Sequence, residues 1–236
     1  FMPTEPRAAS LRARVRAEMV EEIKATGRRH LAEQGAANLS LRAVAREVGM
    51  VSSAVYRYFP SRDELLTALI IDAYDAVGAA AEAALAAHRR RNAGARWIAV
   101  SEAIRAWALA HPHEYALIYG SPVPGYAAPS DTIDPAARVA FALLQIVVDG
   151  VATGEISEGD TSTMPRVVHN DFAALREVAA PGVSDAVLSR TLLAWSQLLG
   201  GISLEMFGHL HNVIHDYDAY FTFQVRRTAD FLVKGS

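Results

Sequence analysis

Apolar positions recur with a helical period along most of the chain. Leu41, Val44, Ala45 and Val48 hold the i, i+3, i+4, i+7 spacing of an amphipathic helix, and Arg42 and Arg46 stand one turn apart on the opposite face. Ser40 occupies an N-cap position, and Gly49 sits where the helix must stop and turn. A second short helix follows, capped by Ser52 or Ser53 and ended before Pro60. Its solvent side is Ser52, Ser53, Tyr56 and Arg57, hydrogen-bonding groups with no acid among them, while Val55 and Phe59 mark its core side. Two short helices around a glycine turn, with an acid-poor outer face, predict a helix-turn-helix that sets its second helix in a DNA major groove.

The same periodicity predicts a helix over 11–34, with Val15, Met19, Ile23 and Leu31 facing a core, long enough to brace the two short helices into a three-helix unit. Residues 1–10 read as a polar, mobile start. Ser61 with Glu64 three residues on has capping-box spacing and opens a helix that continues to 88. At ~1.5 Å per residue it spans roughly 40 Å, enough to link the small unit to a larger body without a floppy connection. Further helices are expected over 93–110, 113–119, 136–153, 164–178, 185–208 and 217–233. The stretch 121–135, with four prolines, and the polar stretch 155–163 read as loops. No strand and no repeat is evident. The expected fold class is all-α: an N-terminal three-helix helix-turn-helix domain over 1–62, plus a larger C-terminal helical domain for ligand binding and dimerisation over 63–236.

Composition adds a core and a charge asymmetry. Of 236 residues, 51% are hydrophobic and 21% charged, which supports a substantial buried interior. The absence of cysteine excludes disulfides and thiolate metal sites and fits a cytoplasmic protein. No apolar run is read as approaching the ~20 residues of a membrane span, so no membrane partner is expected. The net charge of −3 conceals a basic start: residues 1–62 hold eleven Lys/Arg and six Asp/Glu, or +5, and the remainder carries −8. An acidic protein is a poor ligand for nucleic acid, but a basic segment on an acidic body is a good one. Arg7, Arg12, Arg14 and Arg16 read either as a solvated helix start or as an arm that touches phosphates.

The stretch 39–66, with its VGM turn and its AVYRYFPSRDELL run, resembles the DNA-binding domain of TetR-family transcriptional regulators. The pieces HPHEYALIYGSPVPGY and AWSQLLGGISLEMFGHL are similar to the WHG-type ligand domain of that family, with one departure. Trp195 is followed by Gly200 and Gly201, where the motif has histidine and glycine, so a role for that histidine is not inherited. The resemblance implies a homodimer that binds a double-stranded operator and releases it when a small effector enters the C-terminal body. It also implies roles. Arg42 matches a position that reaches a base, where a guanidinium can bond guanine O6 and N7 together. Ser52 and Ser53 match the opening of the recognition helix, and Ala54 is placed to pack on a thymine methyl. Tyr56, Tyr58 and Arg62 match phosphate-holding positions, with Ser40 beside them.

A ligand site in a helical body calls for an apolar cavity with a few polar groups. Trp107, His111, Tyr115, Tyr119, Phe141, Trp195 and Phe207 are the candidates, against the ordinary alternative that aromatics at helical spacing are core. His209, His211 and His215 with Asp216 and Asp218 have some metal-like chemistry, but Gly208 places them in a turn, so capping and surface polarity is the reading and neither metal nor cofactor is expected. Leu188, Leu192, Trp195 and Leu199 suggest that the last two helices pair across a two-fold axis as a four-helix interface. A ligand carrier or an all-α enzyme are the other classes considered. No nucleophile–base pair stands at telling spacing for an enzyme, and a carrier has no use for the basic segment.

Overall fold

The computed structural model of the chain describes residues 5–159 and 164–235. The first residues of the polar start, the Arg7 side chain and positions 160–163 of the expected loop lie outside that description. Ten α-helices and no strand occur among the described residues: α1 Glu5–Gln34, α2 Leu41–Glu47, α3 Ser52–Val55, α4 Arg62–Ala87, α5 Ala93–Ala110, α6 Pro112–Tyr119, α7 Ile133–Ala152, α8 Arg166–Ala179, α9 Asp185–Met206 and α10 Tyr217–Lys234. Most boundaries fall within a few residues of expectation, as helix ends do. α1 is the exception, starting six residues ahead of the predicted 11. The chain forms two compact units, one of Phe1–Ala73 with His113–Thr132, the other of Tyr74–Pro112 with Ile133–Ser236.

In the first unit, Ile23, Thr26, Gly27, His30 and Leu31 form the buried stripe of α1. Gly27 sits at a close approach, since a Cβ there would stand 3.1 Å from the Leu69 side chain of α4. The core is completed by Leu39, Leu41, Val44, Val55, Phe59, Leu65 and Leu66, each buried. Full burial of one such side chain is worth about 1.5–3 kcal/mol. Charge then fixes the helices against one another. Lys24 and Arg28 of α1 both donate to the Asp72 carboxylate of α4, at 3.0 Å each. Val15, expected at the core, is 50% exposed, and Leu11 is 53% exposed. The apolar stripe of α1 runs on past the end of the packed unit, so its period alone could not say where burial stops.

In the second unit, α5 lies against α7, α9 and α10. Trp97, Val100 and Ile104 of α5, Leu143 and Ile146 of α7, Leu188 and Ile202 of α9 and Leu232 of α10 are buried to within 2%. Three arginines tie this body together. Arg105 makes a two-pronged bond to Glu205 at 2.6 and 2.8 Å and a third bond to Asp218. Arg96 donates to Asp149 at 2.6 Å. Arg138 of α7 grips the second half of α4 through Glu82 and Asp75, over Gly78, where a Cβ would meet the Arg138 side chain at 2.7 Å. The stretch Ser130–Ala152 is in fact long and apolar enough by composition to cross a membrane, contrary to the sequence expectation. It contains α7, whose Val139, Leu143, Ile146 and Val147 are buried in the helical body, while Ile133 and Phe141 are exposed.

Candidate nucleic-acid interface

The site is built on the turn between α2 and α3. Ser40 caps α2, its Oγ accepting from the Ala43 N–H at 3.4 Å. At the other end Gly49 has φ +75°, a left-handed conformation that favours glycine, and the Met50 N–H returns to the Ala45 carbonyl while the Gly49 N–H returns to Arg46. This double closure satisfies the last carbonyls of α2 and redirects the chain. α3 then starts without a serine cap. Its N-cap is Val51, with no side-chain bond, which corrects the expectation that Ser52 or Ser53 would cap it. Both serines lie inside the helix and are exposed, so their hydroxyls remain on the outer face. Val55 and Phe59 point inward, as their spacing indicates, and Tyr56 and Arg57 point outward.

The exposed side chains of this face are Arg42, Arg46, Ser52, Ser53, Tyr56 and Arg57, with Ala54 and Tyr58 half-buried. No acid occurs between Val48 and Arg62. Of the two that flank this interval, Asp63 accepts from Arg62 and Glu47 is turned to α1, where Arg29 donates to it at 2.8 Å and His30 Nε2 lies 2.7 Å from its other oxygen. These bonds, Arg29's first, hold the Glu47 carboxyl below its ordinary range. The acid that would weaken a positive face is neutralised by the contact that braces α2.

Two arginines have structural employment that sequence spacing did not reveal. Arg62 spends its guanidinium inside the unit, donating to the carbonyls of Leu39, Ala36 and Ala37 and to Asp63. Arg16 of α1 donates to the Arg57 carbonyl at 3.0 Å and lies 5.0 Å over the Tyr58 ring. Tyr58 is thus held from α1, with its ring covered by a cation. Both contacts span more than twenty residues, beyond any local pattern.

The aromatic side chains proposed for a ligand are distributed unevenly. Trp107 is buried and stacks on the exposed His111, centroids 5.4 Å apart. Tyr115 is fully buried and tilts against Tyr119 at 5.1 Å. Trp195 is half-buried, whereas Phe141 and Phe207 are exposed. A groove of about 590 Å³ in the second unit, between the start of α5 and the end of α10, is lined by Ala93, Ile98, Arg226, Ala229 and Val233 among others, and by none of the residues expected at a ligand. His209, His211 and His215 are exposed in the turn after α9, which Gly208 opens at φ +75°. Among the described residues, no group of three or more His, Asp or Glu is arranged to hold a metal ion.

Comparison with known proteins gives the arrangement a family. Residues 23–69 match the model of bacterial regulatory proteins of the tetR family, and residues 97–228 match the tetracyclin repressor-like C-terminal domain. α1 therefore begins 18 residues ahead of the matched DNA-binding segment. The HTH-type transcriptional regulator Rv1816 of Mycobacterium tuberculosis is 45% identical over 203 residues, covering 84% of this chain and 82% of that protein. The crystal structure of SCO4313 superposes with a TM-score of 0.74 at 34% identity, covering 92% of this chain and 97% of that one. A protein of unknown function from Rhodococcus sp. RHA1 superposes with a TM-score of 0.66 at 26% identity, covering 92% and 94%. With both domains matched in order and a helix-turn-helix exposed at the expected place, the chain belongs to the TetR family of transcriptional regulators.

Proposed function

We propose that this regulator binds a palindromic operator as a homodimer, and that a small apolar effector in its C-terminal domain releases it, so that it acts as a repressor in the cytoplasm. The observation that carries the reading is the acid-free face of α2 and α3, on which Arg42, Ser52, Ser53 and Tyr56 are exposed together. Residues 1–62 serve as the reading module and 63–236 as the sensing and pairing body. Arg42 reads a base, worth ~1–3 kcal/mol of discrimination for a bidentate pair. Ser52 and Ser53 adapt to either donor or acceptor, and Ala54 packs on a thymine methyl. Ser40, Tyr56 and Tyr58 take phosphates, which fix register without reading sequence. Arg62 serves the phosphate contact from behind, by holding the main chain that leads into Ser40.

Pairing is assigned to α9 and α10. On α9 the exposed Leu193, Gly200 and Leu204 share one stripe, Phe207 is exposed just past its end, and Phe223 is exposed on α10. Leu188 is not part of this face, because it is 1% exposed within its own body. Gly200 has nothing within 4 Å of a built Cβ, which leaves room for a second helix to cross closely. Two recognition helices in such a dimer must stand about 34–36 Å apart to enter successive major grooves. Effector coupling of ~1–3 kcal/mol is enough to shift binding by one to two orders of magnitude. Selection from a pool of randomised duplexes tests the reading. Enrichment of an inverted repeat is expected, and a pool that stays unenriched at low salt, or yields single half-sites, overturns it.

A further inference from the structure

The first turns of α1 have no place in either compact core. Every described side chain from Leu11 to Glu18 is exposed, although the helix is continuous from Glu5 to Gln34. Isolated helical turns of this length are marginal in water, so a segment kept helical without packing gains from docking elsewhere. Its charge is one-sided: Arg12, Arg14 and Arg16 stand against one acid, Glu18, which pairs with Arg14 at 3.5 Å with both side chains exposed. An exposed pair of this kind is worth little and is readily exchanged.

The direction of the segment is fixed by Arg16. Its bond to the Arg57 carbonyl and its position over the Tyr58 ring lay one face of α1 against the end of the recognition segment. Arg12 is four residues earlier on the same face, so it stands roughly 6 Å further along the helix axis than Arg16. Arg14 projects from the other side of the helix. Arg12 and Arg14 are thus the exposed cations that follow Arg16 along α1, away from its contact with the recognition segment.

We propose that residues 11–16 of α1 are a second DNA-binding element, in which Arg12 and Arg14 contact backbone phosphates flanking each half-site. This rests on the reading of α2 and α3 given above. The interaction is electrostatic and independent of sequence. Arg14 exchanges Glu18 for a phosphate, and Arg16 remains the anchor. Operator affinity therefore includes a salt-sensitive contribution from outside the helix-turn-helix, and each protomer covers more duplex than α2 and α3 alone.

The test is fluorescence anisotropy of the full chain on a duplex of about 40 base pairs with the selected inverted repeat at its centre, titrated at several salt concentrations. For Arg12→Ala/Arg14→Ala the slope of log affinity against log salt should fall by about 0.9 for each phosphate no longer neutralised, up to ~1.8 per protomer. Arg12→Lys/Arg14→Lys should keep the slope and so exclude a folding defect, as should an unchanged melting temperature of the alanine variant. On a duplex trimmed to the two half-sites, wild type and variant should converge. A wild-type slope in the alanine variant on the long duplex overturns the proposal, as does a difference that survives on the trimmed one. If the wild type binds neither duplex at low salt, the reading of α2 and α3 fails first and takes this one with it. If the alanine variant changes self-association but not the slope, the exposed turns serve a protein–protein interface instead, and the proposal is overturned.

Discussion

Arg62 donates from Nε to the main-chain carbonyl of Leu39 at 3.2 Å. Leu39 immediately precedes Ser40, the cap of α2, so the first residue of α4 fixes the chain just before the helix that carries Arg42. Its Nη2 completes the grip on Ala36 and Ala37 at 2.8 and 3.2 Å.

Arg62→Ala should act on stability before it acts on DNA. It removes the Arg62 donors from the carbonyls of Leu39, Ala36 and Ala37, of which Ala36 keeps the Leu39 N–H, a loss of about 1–3 kcal/mol. Lysine should rescue little, since one ammonium cannot reproduce the planar fork across three carbonyls. Thermal melts of the two variants decide this, and a wild-type melting temperature for Arg62→Ala would contradict the assignment.

Tyr56→Phe removes one exposed hydroxyl and no packing. It should leave the melting temperature unchanged and weaken operator and scrambled duplex alike, by about 0.5–1.5 kcal/mol. A loss confined to the operator, measured by anisotropy on both duplexes, would move Tyr56 from positioning to base reading.

Acid should loosen the brace between α1 and α2. The Glu47 carboxyl is held below its ordinary value of 4.5 by Arg29 first and then by His30. A depressed carboxyl stabilises the fold fully above its unfolded value, and the contribution is lost as pH falls through the lower folded value. The difference in melting temperature between wild type and Glu47→Gln should be constant above about pH 4.5 and close below it. A difference that persists unchanged to the acid end would show that the bond does not depend on the charge of Glu47.

Gly200 distinguishes a free helix face from a covered one. On an exposed helix, glycine to alanine stabilises by roughly 1 kcal/mol, and a larger apolar side chain does no harm. On a face crossed closely by a partner helix, Gly200→Leu should push the crossing helices apart and shift the protein toward monomer. Leu193→Glu should do the same by burying a charge. Sedimentation at micromolar concentration reads both, and two variants that sediment as the wild type would remove α9 from the interface.

Much of the fold could be read along the chain because helices are local. The spacing of Leu41, Val44 and Ala45, the Ser40 cap and the Gly49 turn each follow from residues within one or two turns of one another. The Ser61 cap likewise takes the Glu64 N–H as its spacing indicates, at 3.1 Å. The exposure of Ser52, Ser53, Tyr56 and Arg57 was legible for the same reason. Interactions between distant residues were not. Arg62 on Leu39, Arg16 on Arg57 and Glu47 between Arg29 and His30 are set by how the helices pack, and an arginine beside a recognition helix looks the same in sequence whether its donors point to solvent or to carbonyls. The apolar stripes of α1 and α9 illustrate the other limit. Periodicity identified their faces, but Val15 is exposed and Leu188 buried, because the period does not mark where a neighbour begins or ends.

The most direct test of the account is the affinity of wild type and Arg42→Ala for a selected operator and for its scrambled counterpart at one salt concentration. The wild type should prefer the operator. Arg42→Ala should lose about 1–3 kcal/mol on it and become indifferent to one base pair in each half-site, while scrambled DNA loses no more than one charge's worth. Equal losses on both duplexes, with the base preference intact, would contradict the claim that the exposed face of α2 and α3 reads sequence through Arg42.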